Sequence, residues 1–75
     1  MYFVWYDDNP GKTVGAKIDE AILRFKERYG RTPDICMLNE TIQPADYVTT
    51  LAARGVRVMA ARNVPRDYFW VGVDA

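Results

Sequence analysis

Apolar positions in this chain follow two periods, and the switches between them mark the elements. Tyr2, Val4 and Tyr6 alternate with Phe3 and Trp5, which predicts a strand over residues 2–6 with both faces apolar. The turn-forming run Asp7-Asp8-Asn9-Pro10-Gly11 stops it. Val14, Ile18, Ala21, Ile22, Phe25 and Tyr29 then recur at steps of three and four, predicting a helix over 13–29 with one stripe turned to a sheet. Its start has two candidate caps, Thr13, or Asn9 followed by Pro10. Gly30 suits the left-handed residue after its end, and Pro33 prevents continuation.

Asp34-Ile35-Cys36-Met37-Leu38 is a nearly unbroken apolar run, as in a strand covered on both faces. Residues 44–54 predict a second helix, with Pro44 at its first position, Gly55 beyond its end, and Ala45, Val48, Leu51 and Ala52 as the inner stripe. Residues 56–61 predict a third strand. The turn run Asn63-Val64-Pro65-Arg66-Asp67 follows, and then a fourth strand over 68–73. The order is β-α-β-α-β-β. The fold class is α/β: a two-layer α/β sandwich with a mixed four-stranded sheet and two helices, both expected on one face. Strand, helix and strand of these lengths suggest a parallel crossover joining neighbouring first and second strands. The third and fourth strands are expected to pair as a hairpin.

Residues 1–75 form a single domain. A chain this short buries only about 60% of the surface that it exposes when unfolded, which leaves little room for both a core and an elaborate active site. Ten basic and ten acidic residues give zero formal net charge, unlike the basic footprint of a nucleic-acid binder. There is no histidine and one cysteine. The usual general base and the commonest metal ligand are therefore missing. An internal disulfide is ruled out, and a reducing, cytoplasmic setting is expected. No apolar run reaches the ~18 residues of a membrane span, so no membrane partner is expected. The first residues lack a basic leader and are not read as a signal peptide.

Candidate chemistry is sparse. Gly11-Lys12-Thr13 stands between a strand and a helix, where a phosphate-binding loop would stand. The position of that motif's first glycine holds Tyr6, so no nucleotide binding is expected. Asp7 and Asp8 end the first strand, and Asn39 and Glu40 end the second. Ligands collect outside the carboxyl ends of such strands, so Asp7, Asp8 and Glu40 are candidate ligands for a hard cation. The competing reading is turn chemistry, because Asp and Asn bond their own backbone in turns. Cys36 lies in an apolar strand and reads as a small buried filler. Arg57, Arg62 and Arg66, near Tyr68, Phe69 and Trp70, are candidate nucleic-acid contacts or a charged sheet edge. No cofactor is expected.

The opening Met1-Tyr2-Phe3-Val4-Trp5-Tyr6-Asp7, followed by a helix ending Arg28-Tyr29-Gly30, loosely resembles the small CRISPR-associated nucleases with a ferredoxin-like fold. The resemblance covers about the first thirty residues. It implies a metal at a dimer interface, served by the aspartate that ends the first strand, Asp7. The chain departs from that pattern by having one strand before its second helix where the family has two.

Ten aromatic residues are more than a small two-layer core hides, and large aromatics are enriched at protein interfaces. The function expected first is a non-enzymatic protein-interaction module. Its partner is itself or another protein, met through an aromatic sheet face with Phe3, Trp5, Tyr68 and Trp70 as candidate interface residues. The alternative is a metal-dependent nuclease or nucleic-acid-binding protein.

Overall fold

Four five-residue strands carry the architecture. The computed structural model describes residues 2–42 and 51–73. In chain order these contain β1 (Tyr2–Tyr6), α1 (Val14–Tyr29), β2 (Ile35–Asn39), β3 (Arg57–Ala61) and β4 (Tyr68–Gly72). A second helix ends in residues 51–53, and the remainder of that expected helix, 44–50, lies outside the described residues. The sheet is mixed, in the order β1-β4-β2-β3. β2 and β3 are parallel, and β4 runs antiparallel to both β1 and β2.

The start of α1 is fixed by Thr13, whose side chain accepts from the Ala16 N–H at 3.1 Å. Asn9 caps the preceding turn instead, accepting from the Gly11 N–H at 2.9 Å. Gly30, at φ 71°, ends the helix by donating its N–H to the Lys26 carbonyl. Ile18, Ala21, Ile22 and Phe25 are buried together with Cys36, Leu38, Leu51, Val56, Phe69 and Val71 in one core. The described helical residues therefore pack on a single face of the sheet. Tyr29, at the end of the stripe, is 37% exposed, and its ring still meets Phe25 at 4.7 Å between centroids.

Two expectations about strand order are corrected. β1 and β2 are parallel in direction but not neighbours, because β4 lies between them. β3 and β4 do not form a hairpin, because β2 separates them. The reason lies in residues 62–67, which must span two strand spacings, about 10 Å. They pass the end of β2, where the Asn39 Nδ2 donates to the Val64 carbonyl at 2.7 Å. Val64 is fully buried there. β4 can then occupy the sheet interior, where uncharged Phe69 and Val71 are covered. Arg57 falls on the edge strand, where charge is tolerated.

Candidate functional site

The pairing register sorts the strand residues onto two faces. Cys36 pairs with both Val71 and Val58, Val71 pairs with Phe3, and Phe69 pairs with Trp5. These residues face the helices. The other face consists of rows crossing the sheet. One is Tyr2, Gly72, Ile35 and Arg57, and the next is Val4, Trp70, Met37 and Met59. Tyr6 with Tyr68, and Asn39 with Ala61, complete the third. Among the described residues no helix covers this open face. Tyr2 is 43% exposed, Val4 51%, Tyr6 52% and Met59 43%, whereas Ile35 in the first row is 3% exposed and the Trp70 Nε1 is buried. The Tyr6 and Tyr68 rings lie 4.9 Å apart and the Tyr2 and Trp70 rings 6.4 Å apart. The middle row is wholly apolar, with Arg57 and Asn39 only in the flanking rows, an arrangement of apolar centre and polar rim common at interfaces.

The four candidate interface residues therefore do not share a surface. Tyr68 and Trp70 lie on the open face. Phe3 and Trp5 pack against the core on the helix side, where the Arg24 guanidinium sits 5.8 Å from the centre of the Trp5 ring. Sequence reasoning missed Tyr2, Val4, Tyr6, Met37 and Met59. The alternation was visible in each strand. The missing signal was which parity met the helix, and that depends on pairing between distant strands.

Asp7, Asp8, Asn39 and Glu40 do come to one end of the sheet, since β1 and β2 run the same way. Each is engaged. Lys12 Nζ contacts Asp7 at 2.6 Å, and the Asn9 N–H donates to the same carboxylate at 3.1 Å. The Lys12 hydrogen bond is the main cause holding Asp7 below its ordinary range, and it raises Lys12 in turn. The Tyr6 hydroxyl donates to Asp8 at 2.9 Å, which pushes the phenol up. Glu40 lies 3.7 Å from Arg62 Nε. Among the described residues no three His, Cys, Asp or Glu side chains converge as metal ligands do.

Arg62 and Arg66 share that end, and Arg66 reaches Thr41 Oγ1 at 3.4 Å. Arg57 begins β3 at the opposite end, so the three arginines do not line one groove. Lys12 is held by Asp7, and Thr13 is a helix cap. Gly11-Lys12-Thr13 thus forms a turn and a helix cap. Cys36 is buried, and burial pushes its thiol up to about 12, which is inert at neutral pH. No described helix is long and apolar enough to cross a membrane.

No family model matches this chain, and no curated protein or solved structure matches it either.

Proposed function

We propose that this chain is a non-enzymatic interaction module that associates with a second copy of itself through the open face of its sheet. The observation that carries this reading is the apolar row Val4, Trp70, Met37 and Met59, which no described helix covers. Tyr2, Val4, Tyr6 and Met59 on this face are each more than two fifths exposed. Exposed apolar patches on a single domain are often functional. Tyr, Trp and Met are the residue types that interfaces favour. Zero net charge sets no long-range repulsion against a second copy. The lone buried thiol suits a reducing compartment such as the cytoplasm.

The alternative of metal-dependent nuclease chemistry at Asp7 and Asp8 draws less support. A cation would have to displace Lys12 from Asp7 and the Tyr6 hydroxyl from Asp8. Sedimentation equilibrium at tens of micromolar tests the main reading. The wild-type mass should exceed the 8.6 kDa of one chain. Met59→Glu, which places a charge in the middle row, should lower that mass without changing the far-ultraviolet circular dichroism. A Met59→Glu protein that associates as the wild type does would remove the open face as the interface.

A further inference from the structure

The edge of the sheet carries information that its face does not. Among the described residues β1 has one neighbour, β4. The Asp7 N–H donates to the Asp67 carbonyl at 2.9 Å, in register with the Tyr2–Tyr6 pairing of β1 against β4. Antiparallel pairs alternate between bonded and non-bonded. The N–H and C=O groups of Phe3, Trp5 and Asp7 therefore point at β4, and those of Tyr2, Val4 and Tyr6 point away from it, along the free edge. Natural edges are blunted by lysine, proline, bulges or short length. β1 holds no charged residue and no proline, and its register against β4 runs unbroken from Tyr2 to Tyr6. The opposite edge strand, β3, begins with Arg57.

We propose that β1 is a self-pairing edge, joining two copies antiparallel about Val4 into one eight-stranded sheet. This rests on the self-association reading above but joins the two copies at the β1 edge, with their open faces side by side rather than against each other. A two-fold contact requires a strand complementary to its own reverse, and Tyr-Phe-Val-Trp-Tyr has that property. Around Val4, Tyr2 faces the partner's Tyr6 and Phe3 faces the partner's Trp5. Each outward-pointing residue then bonds a residue whose own N–H and C=O also point outward. The tyrosine pairs lie on the open face and the Phe–Trp pairs on the helix face, and aromatic cross-strand pairs are favourable.

The helices leave room for this pairing. α1 packs over β4, so two α1 helices would lie three strand spacings apart, about 14 Å. That exceeds the 8–10 Å of direct helix packing, and the gap holds the Phe3, Trp5 and Arg24 side chains. A five-residue edge is a small contact, in the range of weak complexes below about 1,200 Å². It also sets two open faces side by side.

Amide hydrogen exchange followed by NMR over a concentration series tests the edge directly. Phe3 and Trp5 amides, bonded to β4, should stay protected at every concentration. Val4 and Tyr6 amides should exchange fast when dilute. They should slow roughly threefold per tenfold rise in concentration once the dimer dominates, because the monomer fraction falls as a square root. Val4→Pro removes an edge-facing N–H and spares the β4 ladder, so it should abolish that slowing at Tyr6. Met59→Glu, on the far edge strand, should leave it intact. Fast exchange at Val4 and Tyr6 at all concentrations, in a protein whose mass still falls with Met59→Glu, overturns the edge and leaves the face standing. Concentration-dependent protection with no effect of Met59→Glu on mass supports the edge and removes the face. A wild type monomeric throughout overturns both. If Val4→Pro fails to fold, the wild-type exchange series decides alone.

Discussion

Asp7 and Lys12 show how one contact gives a candidate metal ligand a structural role. The sequence places two carboxylates at a strand end and leaves metal binding and turn formation open. The 2.6 Å contact gives Asp7 a structural role, because it is neutralised and hydrogen-bonded. Its carboxyl is held below its ordinary 3.8, mainly by Lys12 and next by the Asn9 N–H. The stabilisation is then fully present above pH 3.8 and is lost as pH falls through the lowered folded value. Lys12 is raised above its ordinary 10.5 by the Asp7 hydrogen bond. Its share is fully present below 10.5 and is lost as pH rises through the raised folded value. Asp7→Asn should therefore be less stable than the wild type at neutral pH, with the gap closing in acid below pH 3.8. Urea denaturation at a series of pH values measures this. A gap of constant size down to pH 2 would mean that the Asp7 charge contributes nothing.

At the scale of elements, what was legible in the sequence was local. The stripe from Ile18 to Phe25, the left-handed stop at Gly30 and the strand runs each depend on neighbours a few residues away. Strand order was not legible, because it depends on the route of residues 62–67. The turn residues there suggested a hairpin, and nothing local shows Asn39 reaching across to hold the Val64 carbonyl. The same gap hid the candidate face: alternation in β1 and β4 was plain, but Phe69 and Val71 had to be placed against α1 before either parity had a direction. Asn39→Ala tests the device that sets the order. It removes the 2.7 Å bond to Val64 and the Thr41 N–H contact at 2.9 Å. It should cost about 1–3 kcal/mol, the range for leaving a buried polar partner unsatisfied. A domain of this size would then melt roughly 4–8 °C lower per kcal/mol. Calorimetry showing an unchanged melting temperature would place the hold on residues 62–67 elsewhere, for example in the burial of Val64 itself.

For the whole molecule, salt separates the two functional readings, because they differ in the kind of force each uses. The open face offers apolar contact from Val4, Trp70, Met37 and Met59, and the chain carries equal numbers of acidic and basic residues. Burial of apolar surface scales with area and not with charge. Self-association should therefore change little between roughly 0.05 and 0.5 M sodium chloride, over which exposed charges become strongly screened. A nucleic-acid contact through Arg62 and Arg66 would behave oppositely, since neutralising phosphates releases counterions and affinity falls steeply with salt. Arg62 lies within 3.7 Å of Glu40, and Arg57 is at the other end of its strand, so a continuous basic track is lacking. Sedimentation equilibrium at both salt concentrations, run beside fluorescence anisotropy with a labelled single-stranded oligonucleotide, compares the two. The expected result is a salt-insensitive association and no saturable oligonucleotide binding at the lower salt. Tight oligonucleotide binding that weakens steeply with added salt, in a chain that stays monomeric, would transfer the assignment to the arginine end of the sheet.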